Sequence, residues 1–141
     1  MDEEYYIALA KVRMERSWEL LDEAETLLKQ NAYKSANNRA FYAIEKSVKA
    51  LLATARIDVA THNGGLKQFN YYFIFKGDGT FTSEDYKIIA RSEQIRNASD
   101  YDDFYVADKA ETRQQVENAR KLVEKIRQYM ENHFEIQRTE K

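Results

Sequence analysis

Apolar residues recur at three- and four-residue steps along most of this chain. From about Tyr5 to Gln30 the series Ala10, Met14, Trp18, Leu21, Ala24 and Leu28 is interleaved with Arg13, Glu15, Arg16, Glu19, Asp22, Glu23 and Glu25, the spacing of an amphipathic helix. After a short break at Asn31, the series Tyr33, Ala36, Ala40, Ile44, Val48, Leu51 and Ala55 runs to about Arg56, with Phe41 and Leu52 widening the stripe. Two long helices joined so tightly predict an antiparallel hairpin. Thr61 to Gly65 then supply a capping side chain and two glycines ahead of a shorter, aromatic helix with Leu66, Phe69, Tyr72, Phe73 and Ile74; His62 is expected to cap or line its start. Gly77-Asp78-Gly79 reads as a turn. Thr82 or Ser83, with Glu84 and Asp85, opens a fourth helix carrying Tyr86, Ile88, Ile89 and Ile95. Asp108 and Glu111 have capping-box spacing, and Val116, Ala119, Leu122, Val123, Ile126 and Met130 give a last long helix to about His133, where the imidazole complements the helix dipole. The tail from about 135 to 141 is expected to fray.

Strand-like alternation is nowhere sustained, and the chain has no proline, the main helix breaker. The expectation is an all-α, antiparallel up-and-down helical bundle of four to five helices, forming one domain over residues 1–141. With 22 basic and 24 acidic residues the net charge is −2, which lacks the basic excess of a dedicated duplex-DNA binder, so any nucleic-acid contact must be local. The absence of cysteine excludes a disulfide framework, thiolate zinc sites and cysteine nucleophiles. Neither a basic leader followed by an apolar run nor a membrane-spanning stretch is visible, which places the chain in the cytoplasm with no membrane partner.

The chemistry concentrates where the fourth helix ends, at Arg96-Asn97-Ala98-Ser99-Asp100-Tyr101, followed by Asp102-Asp103-Phe104-Tyr105. Arginine stays charged at physiological pH and offers a planar fork of donors suited to phosphate. Arg96 also stands at i+3 from Glu93 and i−4 from Asp100, the spacing of an ordinary helical ion pair. On the second helix Asn38, Arg39, Tyr42, Glu45, Lys46 and Lys49 read as a charged surface with i,i+4 pairs. The functional alternative has Arg39 and Tyr42 lining a groove with Arg96. Neither His62 nor His133 has the Glu-x-x-His arrangement of di-metal bundles. Asp100, Asp102, Asp103 and Asp108 match no calcium loop, and the Gly77–Gly79 turn lacks the Lys and Ser/Thr of a phosphate loop. No metal and no cofactor are expected.

Three stretches together carry a family likeness: Ala36-Asn37-Asn38-Arg39-Ala40-Phe41-Tyr42 through Leu52, then Thr61-His62-Asn63-Gly64-Gly65-Leu66, then Arg96 through Tyr101. In this order the chain resembles the HEPN superfamily over about Glu15 to Glu131, and within it the small prokaryotic members whose fourth helix ends in Arg, a few residues, then Asp-Tyr. The resemblance implies a bundle that forms a homodimer in which the two fourth-helix motifs share one cleft. Many such proteins are metal-independent ribonucleases of toxin–antitoxin pairs, encoded beside a small nucleotidyltransferase antitoxin; others are non-catalytic companions that bind nucleotide or nucleic acid. In catalytic members a histidine follows the arginine by four to six residues. Arg96 matches the arginine and Asn97 the polar residue after it, whereas positions 101 to 103 hold Tyr101, Asp102 and Asp103.

Cleavage of RNA through its 2′-hydroxyl needs a base for the proton and a cation for charge building on the phosphate. Arg96 suits the second role; a phenol, ordinarily titrating near pH 10, is a poor base at neutral pH. The resemblance therefore implies a HEPN protein of toxin–antitoxin type that acts on or binds RNA in a composite dimer cleft. Arg96, Asn97, Asp100 and Tyr101 would form the catalytic set, with Arg39, Tyr42, Asp102 and Tyr105 as binding residues. The alternative is a non-catalytic nucleotide- or partner-binding companion of a nucleotidyltransferase, which would adenylylate Tyr101 or Tyr105. A purely structural bundle, with Arg96 as an ion-pair residue, is the third reading.

Overall fold

A computed structural model describes residues 3–59 and 61–134, with the backbone alone for His62. The expected side-chain role of His62 and the expected fraying of 135–141 lie outside the described residues. The fold is all-α: α1 (Glu3–Lys29), α2 (Tyr33–Thr54), α3 (His62–Phe69), a π-helical segment (Asn70–Phe75), α4 (Ser83–Tyr101) and α5 (Lys109–Phe134).

The α1–α2 hairpin turns at Asn31, which takes the left-handed φ of 61° that asparagine tolerates better than most residues. Contacts between the two helices prove the antiparallel sense, because one residue number rises as the other falls. Arg13 donates to the Lys49 carbonyl, the buried Ser17 hydroxyl donates to the Ala43 carbonyl at 2.7 Å, and Arg39 pairs with Glu23 at 2.8 Å. Helix α2 is the hub, packed against α1, α3, α4 and α5. Its small residues Ala36, Ala40, Ala43, Ala50 and Ala53 are fully buried and leave room for neighbouring helices to approach closely. Asn38, Arg39, Tyr42, Glu45, Lys46 and Lys49, expected on a charged outer surface, are all partly covered for the same reason.

Thr61 caps α3 by accepting the Gly64 N–H at 3.0 Å. The aromatic run after it widens into a π-helix, seen in the Lys76 N–H to Tyr71 carbonyl bond across five residues. Phe69 and Phe73 point inward and meet Phe81 with ring centroids 5.4 and 6.2 Å apart, while Tyr72, expected on the apolar face, is exposed. Helix α4 begins with a capping box in which the Asp85 carboxylate accepts the Thr82 N–H at 2.9 Å. The same carboxylate takes the Lys125 ammonium at 2.6 Å, tying the start of α4 to α5.

Arg96 to Tyr101 form the last turns of α4, whose cap is Asp102, so the motif keeps helical geometry and puts Arg96 and Asp100 one turn apart on the same face. One local expectation is revised. At the head of α5, Asp108 accepts the Ala110 and Glu111 N–H groups at 3.4 Å. Glu111 does not complete the box; its carboxylate instead accepts the Tyr105 hydroxyl at 2.6 Å and pairs with Arg91 at 3.5 Å.

Candidate site between the second and fourth helices

The last turns of α4 lie along the first half of α2, joined by polar contacts. The buried Asn37 side chain donates to the Ser99 hydroxyl at 3.1 Å, and Asn38 donates to the Asp100 carboxylate at 2.9 Å. Arg39 in turn donates to the Asn38 side-chain oxygen at 2.6 Å and to Glu23 at 2.8 Å. A chain of hydrogen bonds thus runs Glu23–Arg39–Asn38–Asp100 and sets the position of the carboxylate beside Arg96.

Arg96 is held differently from the other arginines around it. Its guanidinium lies over three rings, with its carbon 4.7 Å from the Phe41 centroid, 5.3 Å from Tyr42 and 5.8 Å from Tyr101, distances at which ring quadrupoles attract a cation. Its polar contacts are long: 3.5 Å to the Tyr101 hydroxyl and 3.8 Å to Asp100, at or beyond the limit of a useful hydrogen bond. Nε is buried and has no acceptor among the described residues. Only 14% of the side chain is exposed. Arg39, by contrast, makes short contacts of 2.8 Å to Glu23 and 2.6 Å to Asn38. Arg96 is therefore a cation oriented by aromatic packing, with donor capacity left over and a narrow opening to solvent.

Of the residues singled out in the sequence, the fold brings Arg96, Asp100, Tyr101 and Tyr42 into direct contact, and Arg39 joins through Asn38. Asn97 is on the exposed side of the helix. Asp102 turns away and accepts the Phe104 N–H at 3.0 Å. Tyr105 is not among the rings around Arg96; it lines a separate cleft of about 460 Å³ with Tyr33, Lys34 and Ser35. Burial and the bond to Glu111 push its phenol up to about 12. The pattern reading missed Phe41 as the floor under Arg96, because a stripe-widening phenylalanine looks the same whether a cation or an aliphatic group rests on it. It also missed Asn37 and Ser99, buried polar residues whose signal is their position on otherwise apolar faces. At the end of α4 and just after it, Tyr101, Phe104 and Val106 are 74%, 95% and 84% exposed.

This all-α bundle, with an arginine set over aromatic rings where its second and fourth helices meet, defines a class of small helical domains. The chain belongs to the HEPN domain family, whose model matches residues 10–133. It is similar to the protein named "Putative toxin MJ0605" of Methanocaldococcus jannaschii, 38% identical over 84 residues, or 59% of this chain and 60% of that one. That match spans less than two thirds of the relative's length. A UPF0332 protein of Thermotoga maritima is 29% identical over 117 residues, covering 83% of this chain and 87% of its own. "Putative toxin MJ0142" of Methanocaldococcus jannaschii is 28% identical over 117 residues, covering 83% and 78%. Among the described residues no helix is long and apolar enough to cross a membrane.

Proposed function

We propose that this chain is a toxin-type HEPN protein that binds RNA as a homodimer, each copy contributing Arg96 to a shared cleft where the guanidinium engages a phosphate. The observation that carries the reading is the uncommitted state of Arg96. Three rings hold its guanidinium, and the polar contacts of its terminal nitrogen are long. A phosphate oxygen is a strong acceptor for such a fork. The bare Tyr101, Phe104 and Val106 surface beside it supports self-association, since a second copy covering it would remove apolar area from water. The names of two relatives support the toxin assignment.

In this cleft the paired arginines would balance charge on the non-bridging oxygens of a phosphodiester. Attack of the 2′-oxygen on phosphorus would require transfer of its proton to a nearby acceptor. Asp100, held by Asn38 and 3.8 Å from Arg96, is the carboxylate that would take this proton, and Tyr101 offers a hydroxyl to the 2′ position or the leaving oxygen.

RNA retention tests the proposal. Single-stranded RNA and tRNA are titrated with the wild type, Arg96→Ala and Arg96→Lys, with thermal melting to confirm that each is folded. Arg96→Ala should weaken binding about tenfold or more, with Arg96→Lys intermediate because it keeps the charge but loses the fork. Equal retention by all three overturns the reading.

The absence of a histidine at positions 101–103 favours a second reading, a non-catalytic partner of a nucleotidyltransferase. A partner that adenylylates this chain should modify Tyr101, which is exposed, rather than Tyr105, whose hydroxyl is engaged by Glu111. Co-expression with a neighbouring nucleotidyltransferase and intact-mass analysis should show one added adenylate, absent in Tyr101→Phe. An unmodified mass, or modification that persists in Tyr101→Phe, rules that assignment out.

A further inference from the structure

The segment joining α3 to α4 carries a second surface that the Arg96 cleft does not use. Phe69 and Phe73 anchor it to the core. The residues between and after them face outward, with Tyr71, Tyr72 and Phe75 exposed by 43%, 42% and 78%. These outward rings touch one another. Tyr71 and Phe75 are nearly parallel, 6.0 Å apart at 21°, and Tyr72 meets Tyr71 edge-on at 4.9 Å. The Lys76 ammonium lies 4.8 Å from the Tyr71 centroid, and Lys67 is exposed in the last turn of α3.

The charge balance of this stretch is as distinctive as its rings. Acidic residues occupy 24 of the 141 positions, yet none lies between Asp58 and Asp78, a span that holds Lys67, Lys76 and all five aromatic residues from Phe69 to Phe75. In a chain with net charge −2 this is a local island without negative charge. Asp78, at its edge, is turned toward His133, 3.7 Å away. Exposed rings flanked by Lys67 and Lys76, in a stretch of sequence without acidic residues, match the two needs of a single-stranded nucleic acid, a flat face for a base and a cation for the adjoining phosphate.

We propose that Tyr71, Tyr72 and Phe75 form a stacking platform for unpaired bases of single-stranded RNA, with Lys76 and Lys67 meeting its phosphates. Duplex RNA is excluded because its bases are already stacked on each other. The proposal rests on the RNA-binding reading of the protein but places a separate contact on a different element. Lys76 lies on a flexible stem and can exchange the Tyr71 ring for a phosphate without moving the backbone.

The test is fluorescence anisotropy of the full chain with labelled oligouridine, alone and annealed to oligoadenosine. Variants are Tyr71→Ala/Phe75→Ala, Tyr71→Phe, Lys76→Gln and Arg96→Ala. The substituted rings are exposed, so thermal melting should be little changed. The double variant should bind oligouridine at least about tenfold more weakly, while Tyr71→Phe keeps wild-type affinity and the annealed duplex binds poorly to every form. Lys76→Gln should lower the log–log salt slope by about 0.7.

Unchanged oligouridine affinity in the double variant overturns the platform. If Arg96→Ala weakens binding in that case, the Arg96 reading stands alone. No RNA binding by the wild type removes both. If the double variant instead loses binding to anionic lipid vesicles, or loses self-association in sedimentation, with RNA affinity unchanged, the face serves a membrane or a second copy and the proposal fails.

Discussion

Two tyrosines in the same motif illustrate how position on the backbone decides chemistry. Tyr101 closes α4 and is exposed beside the guanidinium of Arg96, whereas Tyr105, four residues on, is partly covered and donates to Glu111 at 2.6 Å. Burial first, then the Glu111 carboxylate, favours the protonated phenol and raises Tyr105 from 10.0 to about 12. A group whose native pKa is raised adds stability in full below its unfolded pKa and loses it as pH climbs through the native one. Tyr105→Phe should therefore destabilise the fold by about 1 kcal/mol at neutral pH. The gap from wild type should hold up to pH 10 and shrink as pH approaches 12, because in that window the wild type loses what the variant never had. Denaturant melts of both proteins across this range measure it; a gap constant through pH 12 would mean that folding does not raise the Tyr105 pKa, and no gap at neutral pH would mean that the hydroxyl bond contributes nothing. At the same scale, Asn38 shows what residue patterns conceal. It reads as a surface amide, yet it carries the Arg39 contact to Asp100 and so sets the carboxylate next to Arg96.

Among the elements, those with a single strong periodicity are legible in the sequence. Helices α1, α2 and α5 follow from apolar residues at three- and four-residue steps, because one wide stripe per helix leaves little choice of face. The aromatic segment was only half legible. Phe69 and Phe73 are four apart, a spacing that suits an α-helix or a wider turn equally, so the π-helical geometry and the exposure of Tyr71, Tyr72 and Phe75 could not be read from it. The motif sits at the end of α4, as Asn, Ser and Asp favour helix ends, but the contacts of Asn37 and Asn38 on α2 with Ser99 and Asp100 are not visible in the spacing. Glu111 was drawn away from its cap by Tyr105 and Arg91, partners that sequence spacing does not reveal.

The end of the π-helical segment makes its own prediction. A Cβ on Gly77 would lie 2.1 Å from the Phe73 carbonyl oxygen, and backbone cannot yield as a flexible side chain does. Gly77→Ala should cost about 1–3 kcal/mol and loosen the segment first, which amide hydrogen exchange at Tyr71 to Lys76 would register. Gly79, in the left-handed region at φ +91°, has open space around it, so Gly79→Ala should suffer only the backbone penalty. Equal stability of Gly77→Ala and wild type would contradict the packing described.

For the whole molecule, α2 is the hub of the bundle. It holds Arg96 through Phe41, Tyr42 and Asn38, and it packs against α3, which leads into the exposed aromatic segment. A monomer leaves Tyr101, Phe104 and Val106 bare, and the proposed dimer sets a second copy over the end of α4. The chain contains no cysteine, and a single introduced thiol therefore reports proximity without background. Asn97→Cys sits on the exposed side of α4 next to Arg96, and Val12→Cys, at a 64% exposed position on α1, serves as the distant control. Under mild oxidation Asn97→Cys should convert to a disulfide-linked dimer that still binds RNA, while Val12→Cys stays monomeric on a denaturing gel. Efficient linkage through Val12→Cys with none through Asn97→Cys, or a wild type that sediments as a monomer at every concentration, would contradict the shared arginine cleft.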